Sequence, residues 1–374
     1  MRRMIRLTPD EARAYLLGQT GLCAVVHPDG PPGARALLAA RRCIQLDPID
    51  RIGTNADLVA FARVDGLGRG DVHHGVDGHA FEHFAKERCL LPASAFPAYR
   101  ARAVQTPWWR LTERLKRLDE GVVEAVLAEV TARGPLTASE MGDHGRVEAL
   151  DWSGWKGTAK AATMALEVLW TRCQVVVRGR NKGARVYDLP ERAIPHVAEA
   201  EGPSEFLRWA LRERIEAAGL LPEISGPWWS MLSDARKDGT VDALLKAGEA
   251  VRVQVDGNRR TYLAPAGFCD RQWPEMDDRV RILGPLDPLI WYRPLIEHVF
   301  GFEYLWEVYK PADQRRWGYY VCPLLHRGRF VGRFEGRFVD GEVVVENLWR
   351  EDGVPFPEAE FRAALERHAA CLSR

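Results

Sequence analysis

Gln45 and Asp47 stand two residues apart in the run Cys43-Ile44-Gln45-Leu46-Asp47, which Pro48 stops. The run alternates apolar and polar residues, as a half-buried strand should. In a strand, residues i and i+2 share a face about 6–7 Å apart. Ile44 and Leu46 are then expected in the core, with Gln45 and Asp47 projecting outward together. A carboxylate beside an amide can hold a water and take its proton. On spacing alone, the ordinary solvent face of an edge strand reads the same way.

Basic residues gather in three places. Arg172, Arg178, Arg180, Lys182 and Arg185 lie between Thr171 and Arg185 with no acid among them. Arg100, Arg102, Arg110, Arg114, Lys116 and Arg117 are interleaved with Trp108 and Trp109, against Glu113 alone. Arg315, Arg316, Arg327, Arg329 and Arg333 form the third group. Any one such run is most simply a solvated surface. Three on one chain, one of them on a Gly- and Asn-containing turn, suit a phosphate backbone. The expected DNA contacts are Arg178, Arg180, Lys182, Arg185 and Arg316.

His73, His74, His79 and His83 invite a metal reading, but Gly75 and Gly78 interrupt any helix there and HExxH is absent. These histidines are expected to be structural or exposed, with no metal and no cofactor. Walker-type phosphate loops and GxSxG are also absent.

The elements that must position these residues follow from local signals. Thr8-Pro9-Asp10-Glu11 reads as a capping box with Pro at the first helical position, opening a helix that runs toward Gly18. Further helices are expected over 34–42 and around Ala80–Glu87. Val123, Val126, Leu127 and Val130 have helical spacing, ended by Gly134-Pro135. Thr137 to Glu140 has capping-box spacing and should start another helix. Lys156 to Arg172 reads as a third, with Ala162, Ala165, Leu166 and Leu169 on its apolar face. Val175–Val177 and Arg185–Tyr187 then form a hairpin. Three helices and a hairpin are the parts of a winged helix. Helices over 204–218 and 241–246, with a hairpin of 251–255 and 260–263, repeat those parts more weakly. They read as a tandem duplication or as two unrelated helix–hairpin units. Beyond Arg279, four β-rich runs suggest a small barrel or curved sheet, closed by a helix over 357–372.

Composition sets outer limits. The 374 residues are 46% hydrophobic and 28% charged, which excludes disordered and collagen-like chains. Lys plus Arg is 52 and Asp plus Glu is 52, so the net charge is zero. That excludes a nonspecific polycation but not a local basic face. Seven widely spaced cysteines without CxxC argue against a disulfide framework or zinc ribbon and fit a reducing cytoplasm. No run approaches the roughly 20 apolar residues of a membrane-spanning helix. The basic N-terminus lacks the apolar run of a secretory signal.

Taken together, the chain resembles the bacterial winged-helix DNA glycosylases that repair interstrand crosslinks, the YcaQ/AlkZ-type proteins. The resemblance extends over the whole chain. It rests on Gln45-Leu46-Asp47-Pro48, on Phe81-Glu82 with Leu91-Pro92, and on Gly284-Pro285-Leu286-Asp287-Pro288-Leu289 followed by Arg293. It rests also on Phe300-Gly301-Phe302-Glu303-Tyr304, Glu307-Val308-Tyr309, Gly318-Tyr319-Tyr320, Pro323-Leu324-Leu325 and Gly332-Arg333. Lys86 departs from the His expected after the Phe-Glu pair, and Glu335 from an Asp that often follows Gly-Arg.

The resemblance implies an α+β fold of three tandem winged helices and a C-terminal β-barrel, arranged as a C-shaped clamp on duplex DNA. The corresponding segments are 1–110, 111–197, 198–278 and 279–374. It implies a monofunctional enzyme that hydrolyses the N-glycosidic bond of N7-alkylated purines, bulky and crosslinked ones included. The expected location is the cytoplasm, with the nucleoid, and a clamp formed within one chain suits a monomer, although the sequence leaves the oligomeric state open. The family's Gln-x-Gln or Gln-x-Asp motif falls on Gln45 and Asp47. That places the chain in the Gln-x-Asp branch, associated with unhooking nitrogen-mustard-type crosslinks.

Physical chemistry agrees. Alkylation at N7 leaves the base cationic and a good leaving group, so no general acid is needed. An oxocarbenium-like sugar and a water to capture it remain. Asp47 can stabilise the cation and accept the proton, while the Gln45 carbonyl oxygen can hold the water. A base tethered to the other strand cannot be fully extruded, which suits an open site. No lysine is placed to form a Schiff base. The competing reading is a non-catalytic winged-helix DNA-binding regulator, which would bind a defined duplex sequence and leave every base attached.

Overall fold

Thr8 opens the first helix as the spacing predicts. Its hydroxyl accepts from the Glu11 amide at 3.2 Å while its own amide donates to Glu11 Oε2 at 2.7 Å. The structure, a computed structural model, describes residues 4–105, 109–150, 157–181 and 183–374. They divide into two compact units. The first comprises residues up to Gly75, Phe84–Cys89 and Leu207–Arg374; the second comprises Val76–His83 and Leu90–Phe206. The fold is mixed α+β.

In the first unit, strand β1 (Ile5–Leu7) leads into helix α1 (Pro9–Gln19). β1 pairs in parallel with Ala250–Val255, which is antiparallel to Thr261–Pro265, and Leu221–Pro222 completes a four-stranded sheet. Helix α2 (Pro31–Arg41) precedes β2 (Ile44–Gln45). Helix α3 (Asn55–Phe61) is capped by Thr54, whose hydroxyl and amide exchange bonds with Asp57. The tip of a hairpin, β3 (Ala80–Ala85) and β4 (Glu87–Pro92), also belongs here, and Leu46 N–H donates to Arg88 O at 2.9 Å.

Strands Arg281–Ile282, Val321–His326, Arg329–Val339 and Glu342–Arg350 form an antiparallel sheet in that order. Its two outer strands do not pair with each other, so the described strands make an open sheet rather than the expected barrel. Helix Glu358–Leu372 and α3 share its core through Leu58, Ile282, Leu324, Phe334 and Phe361.

In the second unit, helix Ala161–Thr171 buries Ala162, Ala165, Leu166 and Leu169, as its spacing predicts. Lys156 lies outside the described residues. Helix Val122–Arg133 buries Val123, Val126 and Val130. Strands Val176–Asn181 and Ala184–Asp188 form the expected hairpin, joined by Leu136–Thr137.

Two expected helices do not form. Thr137 donates from both its amide and its hydroxyl to Glu140 Oε2 at 2.7 Å, but the Glu140 amide donates to the Thr137 carbonyl rather than to the hydroxyl, and only a turn follows. The Gly142 amide donates to the Glu129 carboxylate at 3.0 Å instead of to a helical carbonyl, and His144 joins it at 2.6 Å. Likewise, residues 80–92 are strands, not a helix. Residues 80–85 are buried on both faces except at His83, leaving no polar side for a surface helix. Glu87 turns the chain at φ +55°.

One buried ion pair crosses the first unit. Arg63 and Asp287 are both fully buried and bond twice, at 2.7 and 2.9 Å. Arg63 also donates to Thr20 O at 2.7 Å and to Val59 O at 2.9 Å, and Asp287 caps the Leu289 amide at 3.0 Å. Removing one partner strands a buried charge, so Asp287→Ala should lower stability by about 3–5 kcal/mol in urea unfolding. A loss under about 1 kcal/mol would show that solvent replaces the pair.

Candidate active site

β2 brings Gln45 into position, and Asn55 at the start of α3 holds it there. The Asn55 side chain donates to Gln45 O at 2.8 Å, and its carbonyl oxygen accepts from Leu286 N at 3.2 Å. Trp291 Nε1 donates to Leu286 O at 2.7 Å, fixing the loop of residues 284–290 from its other side. This explains Gly284: a Cβ there would sit 2.6 Å from Asn55 Oδ1, so any larger residue would push the loop from the strand.

The expected alternation holds only in part. Ile44 is fully buried as expected, but Gln45 is only 7% exposed, while Leu46 and Asp47 are half-buried. β2 ends at Gln45, so Asp47 lies beyond the strand. There it forms a local turn, accepting from the Ile49 amide at 3.0 Å through Oδ1. No cation pairs with Asp47 among the described residues. Burial raises its carboxyl above the usual aspartate range, against the lowering effect of the Ile49 amide.

The amide oxygen expected to hold a water is engaged. Lys86, at the turn of the β3–β4 hairpin, donates from Nζ to Gln45 Oε1 at 2.5 Å and lies 4.8 Å over the Trp291 ring. Burial pushes the Lys86 amine below the usual lysine range, opposed by Cys89, Glu87 and Cys43 and reinforced by Arg293. Gln45 Nε2 has no partner among the described residues, yet it is not a sealed atom. Tyr320 is buried in the core beneath the antiparallel sheet, but its hydroxyl has no hydrogen-bond partner among the described residues. Burial, with Cys322, Asp47 and Asp50 adding to it, holds this phenol well above the usual tyrosine range.

Sequence reasoning noted Lys86 only as a departure from a family pattern and did not single out Asn55 or Trp291. The Thr54-x-x-Asp57 capping box was the available signal for α3 and hence for Asn55. Nothing local signals Lys86, whose contact with Gln45 spans 41 positions.

The expected DNA-contacting arginines are all engaged in ion pairs. Arg178 meets Asp77 at 3.2 Å and Asp188 at 3.5 Å, and its guanidinium is held above the usual range, chiefly by Asp77. Arg180 meets the buried Glu82 at 2.7 Å. Arg178 and Arg180 lie on a strand, not on the expected turn. Arg185 pairs with Glu167 and lies 5.3 Å over Trp170. In the first unit, Arg316 meets Glu303 at 3.0 Å, with both side chains more than half exposed. Lys182 and Trp108 lie outside the described residues, and the described residues hold no cluster of three or more His, Cys, Asp or Glu fit for a metal. None of their helices is long and apolar enough to cross a membrane.

Comparison with known proteins adds two findings. The model of the AlkZ-like DNA glycosylase family matches residues 38–374. The DNA glycosylase AlkZ of Streptomyces sahachiroi is similar in structure, with a TM-score of 0.62 over 99% of this chain and 98% of that one, at 16% identity. The family match settles the choice between enzyme and regulator: the chain belongs to the AlkZ-like DNA glycosylase family and is an enzyme that removes bases from DNA.

Proposed function

We propose that the protein hydrolyses the N-glycosidic bond of N7-alkylated purines in duplex DNA, including bulky and interstrand-crosslinked ones, as a Gln-x-Asp member of its family. It acts as a monomer without a cofactor. Asp47 carries the reaction. Its side chain is half-buried and meets no cation among the described residues, so its field is not spent on an internal partner. In a partly desolvated site such a charge acts strongly on a developing cation. The alkylated base departs without protonation, and positive charge passes to the sugar. Asp47 stabilises that charge and accepts a proton from the attacking water, which Gln45 positions.

Asp47→Asn keeps the shape and removes the charge. It should lower single-turnover release of N7-methylguanine from methylated duplex DNA by about 10²–10³-fold, the scale of losing one electrostatic contact to a transition state. DNA binding should persist. A wild-type rate in this variant would remove the mechanism.

The raised Asp47 carboxyl gives a pH dependence. The active form is the anion, so the rate should fall with acidification as Asp47 takes up a proton. The fall should begin at higher pH than for an ordinary aspartate, since burial favours the neutral acid. In the residual activity of Asp47→Asn this acid limb should vanish. Its persistence would assign it to another group.

DNA binding is assigned to Arg178, Arg180, Lys182, Arg185 and Arg316. Exposed ion pairs are worth little in water, so the Arg316–Glu303 pair can give way to a phosphate at small cost. Arg316→Gln should then weaken duplex binding and reduce the slope of log K against log salt by about one. An unchanged slope would place Arg316 off the DNA.

A further inference from the structure

We propose that Lys86 is a positioning residue for Gln45: it holds the amide in the orientation that offers N–H, not C=O, to the substrate. This rests on the catalytic reading of Gln45 given above. Four observations carry it. Lys86 Nζ lies 2.5 Å from Gln45 Oε1, within hydrogen-bond distance. An ammonium group has three donors and no acceptor, so its partner on an amide must be the oxygen. The Gln45 backbone is held independently by Asn55 at 2.8 Å, so rotation of the side chain is the freedom left for Lys86 to remove. The other amide atom, Nε2, is without a partner among the described residues and is not sealed from solvent.

Lys86 is itself held. Its ammonium lies 4.8 Å over the Trp291 ring, a cation–π contact, and Trp291 is anchored to Leu286 O. Amide and ammonium thus lock in one arrangement. In that arrangement the Gln45 N–H donates to the oxygen of the attacking water, and both water protons remain available to Asp47. An acceptor role for Gln45 would instead compete with Asp47 for those protons.

Two classes of variant separate the possibilities in single-turnover release of N7-methylguanine by the full chain, with duplex affinity measured alongside. Lys86→Met removes the donor and keeps the stem. It should slow release by on the order of 10- to 100-fold with affinity little changed, the scale of a misplaced reacting group. Lys86→Arg, which also only donates, should recover most of that loss. Gln45→Glu keeps an acceptor for Lys86 but has no N–H, so it should be as slow as Gln45→Ala. The double variant Gln45→Ala/Lys86→Met should be no slower than Gln45→Ala alone, because both changes remove one unit.

A wild-type rate in Lys86→Met, or in Gln45→Glu, with Gln45→Ala impaired, would overturn the proposal and leave the role of Gln45 standing. A wild-type rate in Gln45→Ala would instead remove the catalytic reading beneath it. Should Lys86→Met fail to fold, Lys86→Arg and Gln45→Glu still decide. Impaired release in Lys86→Arg, or a wild-type rate in Gln45→Glu, would overturn it.

Discussion

The buried pair of Arg63 and Asp287 is the constraint on which the geometry of the site depends. Neither side chain touches solvent. Asp287 belongs to the loop that Asn55 binds through Leu286, and Asn55 in turn holds the backbone of Gln45. Arg63 ties the same loop to the carbonyls of Thr20, just past the end of α1, and Val59, within α3. A buried ion pair gives little net stability over apolar side chains of similar size. What it supplies here is placement. Guanidinium and carboxylate satisfy each other in one geometry, and a shifted loop would leave charge unpaired inside the protein. Apolar residues would tolerate such a shift.

Charge elsewhere in the first unit follows the same habit of pairing. Asp50 meets Arg69, Asp65 meets Arg279, Asp277 meets Arg281 and Asp278 meets Arg327. Asp47 differs from these in meeting no cation among the described residues. Burying an acid without a counter-ion costs free energy, which is why its carboxyl is raised. A cation arriving from outside recovers that cost. On the proposed function, the cation is the substrate. The balance of 52 basic against 52 acidic residues now has a concrete form: the described cations expected at DNA are bound to acids, so binding a phosphate means exchanging one partner for another.

Legibility of the fold in the sequence tracked how local each determinant is. The capping box at Thr8, the apolar stripe of Ala162 to Leu169 and the hairpin after Val251 lie within single elements, and all three form where spacing puts them. At Thr137 only half of the box forms, and Glu129, on another element, captures the Gly142 amide. Residues 80–92 carry no turn glycine or proline before Pro92, and Glu87 takes a left-handed conformation that its residue type does not announce. In the site, the types and nearness of Gln45 and Asp47 were legible. Their surroundings were not. Burial of Gln45 comes with Lys86 and Asn55, and the strand stops before Asp47, where Oδ1 turns back to Ile49.

The proposed reaction also explains why a neutral amide stands between the lysine and the chemistry. The net charge of an N7-alkylated nucleoside does not change as the bond breaks; positive charge moves from base to sugar. An anion that met both equally would bind the substrate more tightly without speeding its reaction, so Asp47 must favour the sugar. A lysine at the same place would oppose the cation in the transition state. Gln45 resolves the conflict. Its oxygen accepts the hydrogen bond of Lys86, and its nitrogen presents an uncharged donor whose direction is fixed by that bond. The ammonium contributes position without bringing its full charge to the sugar.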